Sequence, residues 1–257
     1  KKPQPDIAQI ILLSFDAAAT KQWLMEEADL LKKNFPSALI GAGTDYNFRE
    51  LNVHRVVDRG LHFISFSIDP QEHATDDLTI IENISAQADT IQSARDIYGL
   101  EKLIHISSLT LKKRFNPAAT VPSEKMLPNE LKSHPRQLTE FAAAFTVGSI
   151  KCLSLANANS VTLFQTVGKQ GIISSSGQKF PVYNVLREIL MNDSEVIDTE
   201  SNKPLTCDGI LLANKQQMKL ILVNYTDESQ RITFQNKEYP LNAYATKILN
   251  FSETILS

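Results

Sequence analysis

Residues 61–77 read Leu61-His-Phe-Ile-Ser-Phe-Ser-Ile-Asp-Pro-Gln-Glu-His-Ala-Thr-Asp-Asp77, and this stretch decides the fold of the chain. It begins as an apolar run with mixed alternation, which is typical of a strand, and it ends in a polar cluster. From Thr79 to Tyr98 apolar residues recur at helical spacing, and Asp76 and Asp77 precede them as natural N-cap residues. The stretch therefore predicts a strand, a polar loop and a helix in succession.

Further strands and helices alternate in the same way on both sides of this unit. Strands are expected over the runs Ile7–Phe15, Ala38–Gly43, Leu103–Leu109 and Ser160–Thr166. Helices are expected over Ala19–Phe35, about Arg136–Ala156 and Pro181–Leu190, and Gly148 and Ser149 inside the second of them indicate close packing against a neighbour. Five strands alternating with four helices predict a parallel sheet, which is an incomplete (β/α)8 barrel of the TIM type.

The pattern changes after Met191, where no helical period survives. Short strands separated by polar turns are expected over Gly209–Ala213, Lys219–Tyr225, Gln230–Gln235 and Ala245–Phe251. The fold class is therefore α/β, with a barrel domain over residues 1–190 and a small all-β, sandwich-like antiparallel domain over residues 191–257.

The composition limits the partners that the chain can be expected to have. Its formal net charge is −3 and it carries no basic stripe, so nucleic acid is not expected as a partner. No apolar run approaches the roughly 20 residues that cross a bilayer, so no membrane contact is expected either. Cys152 and Cys207 are scattered thiols, which weakly favours a cytoplasmic location and leaves a disulfide open. The oligomeric state is left open.

In a β/α barrel the loops that leave the carboxyl ends of the strands build the active site, so the polar clusters after the apolar runs are the candidates. His73 is the first candidate for a general base or acid, because imidazole titrates near neutral pH; the alternative is an exposed loop histidine. Asp69 could orient His73 or act as base, or could be a turn aspartate before Pro70. Asp45, after the Gly-Ala-Gly turn, is the third catalytic candidate, and the alternative is local turn chemistry.

Other polar residues at these loops are candidates for binding substrate. Asn47 and Gln71 offer amides, and the alternative for Asn47 is local turn chemistry. Arg114 with Asn116 could bind a carboxylate product or an oxyanion, since guanidinium presents a planar fork of donors. Gln165 would lie at the end of the last strand, where a packing layer at the barrel mouth is the alternative.

No metal or cofactor is expected. The five histidines fall on different predicted elements, and the chain has no His-x-His or Cys-x-x-Cys pair. Gly41-Ala-Gly43 alone is too short a signal for a phosphate-binding loop. His105, within a predicted strand, is expected to be a structural histidine.

Five segments together resemble the D-apionate lactonase family: Ala38–Asp45, Asp58–Asp77, Leu111–Pro117, Val161–Gly171 and Phe180–Tyr183. The resemblance covers about Ile7 to Leu190. It implies a barrel similar to that of the clan A glycoside hydrolases, with this chain holding the C-terminal half of the barrel and the β domain after it. The activity that it implies is hydrolysis of a sugar-derived lactone, with a small carbohydrate or sugar lactone as partner.

The chain departs from related patterns at defined positions. A retaining glycosidase of that clan has a carboxylate after the fourth strand and another at the end of the seventh. Here those strands end in Ser14-Phe15-Asp16, without an Asn-Glu pair, and in Ser107-Ser108-Leu109-Thr110. The lactonase pattern itself often has Asn where Asp69 stands and Glu where Gln165 stands. A lactonase-like hydrolase is thus the first hypothesis, and the alternatives are a glycoside hydrolase-like barrel and a carbohydrate-binding protein without catalysis.

Overall fold

The computed structural model describes residues 7–14, 23–56, 60–72, 74–112, 134–191 and 193–251. Within these ranges strands and helices alternate through the first part of the chain, and strands alone form the last part. The elements are β1 (Gln9–Ser14), α1 (Trp23–Asn34), β2 (Leu39–Asn47), α2 (Phe48–Val53), β3 (Phe63–Ile68), α3 (Asp77–Tyr98), β4 (Leu103–Leu109), a 3₁₀ turn (Pro135–Leu138), α4 (Glu140–Leu155), β5 (Ser160–Val161), β6 (Gln165–Val167), β7 (Gly171–Ile173), α5 (Pro181–Leu190), β8 (Glu195–Ile197), β9 (Cys207–Ala213), β10 (Met218–Asn224), β11 (Gln230–Phe234), β12 (Lys237–Leu241) and β13 (Thr246–Phe251).

Among the described residues, β1 to β5 form one parallel sheet in which the spatial order follows the chain order. One face of this sheet is aliphatic and packs in the main core with the helices, as Ile64 and Ile104 illustrate, both fully buried. The other face carries Phe63 and His105, whose rings stack. A parallel sheet with sequential order and helical crossovers is the arrangement of a β/α barrel, so the predicted fold class is confirmed.

Helix α3 follows the predicted apolar stripe. Ile80, Ile84 and Ile91 are buried along one side. The Asp76 carboxylate caps the helix by accepting a hydrogen bond from the Thr79 N–H at 2.9 Å. The predicted capping role of Asp76 is thus confirmed, and the helix directs its first turn toward the carboxyl ends of the strands.

Helix α4 is the central helix of the structure, and most of its residues are buried. It packs against α3, α5 and the strands of the antiparallel sheet. A Cβ atom at Gly148 would lie 2.4 Å from the Tyr225 hydroxyl, and Ser149 accepts a hydrogen bond from the Gln87 amide at 3.0 Å. The close packing predicted for Gly148 and Ser149 is therefore confirmed, with α3 and the antiparallel sheet as the neighbours.

The last part of the described chain forms an antiparallel sheet with strand order β13-β10-β9-β8, and β11 pairs with β12 as a hairpin. The four predicted strands are confirmed with shifts of one or two residues at their ends. β8 and β12 were not predicted. Both are short and largely exposed, so their sequences show no alternation of apolar and polar residues over the length that indicates a strand. The two cysteines are free thiols. Within the described ranges no helix is long and apolar enough to span a bilayer.

The predicted strand over Ser160–Thr166 is wrong in its extent. Only Ser160–Val161 forms a strand beside β4, the backbone hydrogen bonds to β4 end at Thr162, and the chain then leaves the barrel sheet to form β6, which pairs with β7. Residues 165–167 are exposed, so no buried neighbour holds them in the larger sheet. Gln165 consequently lies in a two-stranded sheet and not at the end of the last barrel strand.

Candidate functional site

The carboxyl ends of β2 and β3 lie side by side and carry three of the predicted site residues. Asn47 is aligned with Ser67 in the register of the two strands, and the Ser67 hydroxyl donates to the Asp45 carbonyl oxygen at 3.0 Å. Asp69 follows one residue after the end of β3. A shift in register after Gly43 brings these two strand ends together.

A cavity of about 430 Å³ opens at this place, between the strand ends and helices α2 and α3. Asn47 and Asp69 both line it, together with Asn83 and Gln87 from α3. The volume is within the range of pockets that bind small molecules, which begins near 300 Å³. Asp45 is exposed and is not among the lining residues. The structure thus brings Asn47 and Asp69 to one cavity on the flank of the strand ends, with Asp45 beside it.

Two amide oxygens of this cavity have no hydrogen-bond partner among the described residues. They are Asn47 Oδ1 and Gln87 Oε1, and Gln87 is only 2% exposed. A buried acceptor without a donor costs about 1–3 kcal/mol, so such groups normally bind water or a ligand. The residues that line the cavity therefore include one carboxylic acid, Asp69, and two amides whose buried oxygens have no donor among the described residues.

Asp69 is almost completely buried, and its position is fixed by its own loop. Its Oδ1 accepts a hydrogen bond from the Gln71 backbone N–H at 2.8 Å, which is the Asx-turn geometry predicted as the alternative. This turn does not exclude a functional role, because it holds the carboxylate at the cavity wall.

Gln71 is 2% exposed, and its side-chain amide donates to the carbonyl oxygen of Leu111. It thereby ties the loop after β3 to the loop after β4. In this position the amide group has a structural partner, and a contact of Gln71 with substrate stays a prediction. Gln165 is exposed in β6, and its predicted contact with substrate likewise stays a prediction.

His73, Arg114 and Asn116 lie outside the described residues, so their predicted roles remain predictions. In the part of the chain that the structure describes, no group of three residues is arranged to hold a metal ion. His105 is buried, as predicted for a structural histidine, and burial lowers its pKa.

Sequence reasoning missed Asn83 and Gln87, because both fall within the stripe that predicts a helix. The signal was present for Gln87, which occupies a core position of that stripe between Ile84 and Ile91. A polar residue at such a position needs a partner, and here the Gln87 amide nitrogen donates to the Ser149 hydroxyl.

The sheet, its helices and a cavity at the strand ends define a protein with a β/α-barrel architecture. The family described as D-apionate lactonase, TIM barrel domain, matches residues 21–193, and the chain belongs to this family. A D-apionate lactonase from Brucella anthropi is 26% identical over 231 residues, which are 85% of this chain. The match spans 37% of the length of that lactonase.

Solved structures share the fold at low identity. A conserved exported protein from Bacteroides fragilis aligns with a TM-score of 0.56 and 10% identity, covering 89% of this chain and 58% of that one. A family 51 α-L-arabinofuranosidase from Bifidobacterium longum aligns with a TM-score of 0.52 and 12% identity, covering 88% and 57%. At these identities the likeness shows the barrel fold alone.

Proposed function

We propose that this chain carries part of the active site of a carbohydrate-active hydrolase that opens a sugar-derived lactone. The observation that carries the proposal is the meeting of Asp69 and Asn47 at one cavity beside the strand ends. Membership of the D-apionate lactonase family and the 26% identity to the lactonase of Brucella anthropi support this class of substrate.

Opening a lactone needs three contributions. A base removes a proton from water, the water oxygen bonds to the acyl carbon, and the ring C–O bond breaks, leaving a carboxylate and an alcohol once the leaving oxygen is protonated. The oxyanion that forms in between needs hydrogen-bond donors. In the proposal His73 is the base or acid, Asp69 orients it or acts as base, and Asp45 assists.

Substrate binding is assigned to amide and guanidinium groups. Asn47 would bind sugar hydroxyls through its side-chain amide, since the residue lines the cavity. Arg114 and Asn116 would hold the oxyanion or the product carboxylate. Gln71 and Gln165 complete the proposed set of substrate contacts.

The proposal is tested with the intact protein and a panel of sugar lactones, by titrating the released acid at constant pH. Asp69→Asn and His73→Ala should each lower kcat about 100-fold or more, which is the range for loss of a general acid or base. The matched control is Asp89→Asn, because Asp89 is an exposed carboxylate on α3 that does not line the cavity. Equal activity of the Asp69 variant and the control would remove Asp69 from the mechanism.

A second function is binding of carbohydrate without turnover. The observation that favours it is the amide of Gln165, which stands exposed in β6 where the family pattern often has a carboxylate. Saturable binding of sugar lactones by the intact protein, without release of acid at any pH between 5 and 9, would support this function against the first.

A further inference from the structure

Tyr244, in the turn between β12 and β13, has a left-handed backbone with φ of +53°. This region is unfavourable for a bulky aromatic residue and persists only where the surroundings enforce it. Here the Tyr244 N–H donates to the Thr226 carbonyl oxygen at 2.9 Å, and the Asn224 amide donates to the Asn242 carbonyl oxygen at 2.8 Å. The antiparallel sheet thus holds Tyr244 in a strained conformation.

The side chain of Tyr244 crosses from the antiparallel sheet to the barrel. Its hydroxyl donates to Asp77 Oδ2 at 2.6 Å, although the two residues are 167 positions apart in the sequence. Its ring packs edge-to-face against Phe141 of α4, with centroids 5.1 Å apart. Asp77 is the first residue of α3 and ends the loop that leaves β3.

Arg136, from the 3₁₀ turn before α4, contacts the same loop at two points. It forms an ion pair with Asp77 Oδ1, and its Nη1 donates to the Thr75 carbonyl oxygen at 2.8 Å. Its guanidinium also lies over the Phe141 ring, 5.3 Å from the centroid. Both carboxylate oxygens of Asp77 are therefore occupied, one by Arg136 and one by Tyr244.

The simplest role for this cluster is to attach the antiparallel sheet to the barrel. For attachment alone, the contact could be made anywhere on the barrel and by a residue with an ordinary backbone conformation. Here it is made on the β3–α3 loop, by Tyr244 in a strained conformation. The loop begins at Asp69, which lines the cavity, and it ends at the two residues held by the cluster. Burial and the bond to Asp77 raise the pKa of Tyr244, so its hydroxyl stays protonated and donates at neutral pH.

We propose that Tyr244 and Arg136 are positioning residues, which fix the β3–α3 loop and thereby the Asp69 carboxylate at the cavity. The consequence for catalysis rests on the proposed function, whereas the effect on the loop itself does not. The antiparallel sheet would then control the geometry of a site that lies on the barrel.

The first test measures hydrogen exchange of the backbone in the intact protein. Tyr244→Phe removes only the hydroxyl that bonds to Asp77, and Tyr239→Phe is the matched control, since Tyr239 lies in β12 beside Lys247. Amides in the peptide 69–79 should exchange at least tenfold faster in Tyr244→Phe than in the control, while amides of β9 and β10 should keep the wild-type rate. Equal rates in the two variants for peptide 69–79 would overturn the proposal.

Two further variants separate the strain from the contact. Tyr244→Asn keeps the turn, because asparagine adopts the left-handed region readily, and removes both ring and hydroxyl. Arg136→Lys keeps the charge but loses the planar fork that reaches Asp77 and Thr75 together. Both should raise exchange in peptide 69–79, and a rate equal to wild type in both would overturn the proposal even if Tyr244→Phe folded poorly.

Kinetic measurements with a lactone that the wild type hydrolyses distinguish positioning of Asp69 from simple attachment of the antiparallel sheet to the barrel. Tyr244→Phe should lower kcat at least tenfold with less than a threefold change in KM, and Tyr239→Phe should leave both unchanged. Faster exchange in peptide 69–79 without hydrolysis by the wild type would retain the positioning role and reject the proposed function. Hydrolysis by the wild type with neither faster exchange nor a lower kcat in Tyr244→Phe would reject the positioning role and retain the function.

Discussion

The imidazole of His105 lies almost parallel to the ring of Phe63, with centroids 4.3 Å apart and 15° between the planes. The two residues come from the neighbouring strands β4 and β3, on the face of the sheet opposite to the helices. Ser65, paired with His105 in the register, is fully buried and its hydroxyl has no partner among the described residues. His105 is thus a titratable group that is buried between a phenyl ring and a buried hydroxyl.

This environment makes stability depend on pH. Burial lowers the pKa of His105 below its ordinary value of 6.5, so between the two values the unfolded chain binds more protons than the folded chain. The free energy of unfolding should therefore be highest above about pH 6.5 and should fall as the pH drops through the folded-state pKa. Urea unfolding of the wild type from pH 8 to pH 5 measures this slope.

The pKa of His134 is lowered as well, so its contribution to the pH dependence of stability has to be separated from that of His105. Burial and the charge of Arg136 lower the pKa of His134, while Asp77 opposes them. His105→Phe keeps the ring stacking and should make the free energy of unfolding less dependent on pH. His134→Asn keeps an acceptor for the Arg136 N–H and measures the part of the pH dependence that comes from His134. An identical slope in His105→Phe and wild type would contradict the assignment to His105.

A glycine in β2 is required by the close approach of β3. An ideal Cβ at Gly43 would lie 1.7 Å from the carbonyl oxygen of Ser65, which is backbone of the neighbouring strand and cannot rotate away. Gly43→Ala should lower the free energy of unfolding by more than about 3 kcal/mol or prevent folding, because overpacking of a core commonly costs 1–3 kcal/mol even where side chains adjust. Soluble yield and urea unfolding measure the effect.

Gly177 provides the control for this substitution. A Cβ there meets nothing within 4 Å, and its φ of +88° means that alanine adds only backbone strain. Gly177→Ala should therefore cost about 1–2 kcal/mol. If Gly43→Ala costs no more than this control, the steric argument for Gly43 is wrong.

The elements that could be predicted from the sequence are those whose burial is periodic. α3 and α5 have their predicted extents within two residues, since the apolar stripe and the initial Pro181 are local signals. Local apolar periodicity did not predict the extent of the strand from Ser160 or the presence of α2. Both are short and partly exposed, so their conformation depends on neighbours that the local sequence does not reveal.

The residues of the candidate site likewise fall into those that local sequence signals predict and those that depend on distant neighbours. Asp69 and Asn47 could be proposed from sequence because strand ends of a parallel sheet carry function. Gln87 contacts Ser149, which is 62 positions away in the sequence, and Tyr244 contacts Asp77, which is 167 positions away. No local sequence pattern predicts contacts over such separations. Long-range contacts of polar side chains therefore account for most of what the sequence did not show.

Gln71 should prove to be a structural tie between two loops. Gln71→Ala leaves the Leu111 carbonyl without its donor, which should cost about 1–3 kcal/mol in the free energy of unfolding. Gln71→Glu should cost more, because it buries a charge next to that carbonyl oxygen. Gln92→Ala, at an exposed position of α3, is the control and should stay within about 0.5 kcal/mol of wild type in urea unfolding. A Gln71→Ala variant as stable as this control would contradict the tie.

The ion pair between Lys151 of α4 and Asp208 of β9 should stabilise the contact between barrel and antiparallel sheet. The Lys151 ammonium lies 2.7 and 2.9 Å from the two Asp208 oxygens and donates to the Thr199 carbonyl oxygen at 2.6 Å. Both side chains are more than four-fifths buried. Removing one partner leaves the other charge without compensation, so Lys151→Met should lower the free energy of unfolding by about 3 kcal/mol.

A double-mutant cycle separates that penalty from the value of the pair. Lys151→Met with Asp208→Leu should be less destabilised than the sum of the two single variants, because the double variant leaves no buried charge. Arg231 and Glu238 form an exposed pair in the β11–β12 hairpin, and the same cycle there should give less than about 1 kcal/mol. Urea unfolding of all six variants measures both couplings. Equal coupling energies for the buried and the exposed pair would show that burial does not strengthen the Lys151–Asp208 contact.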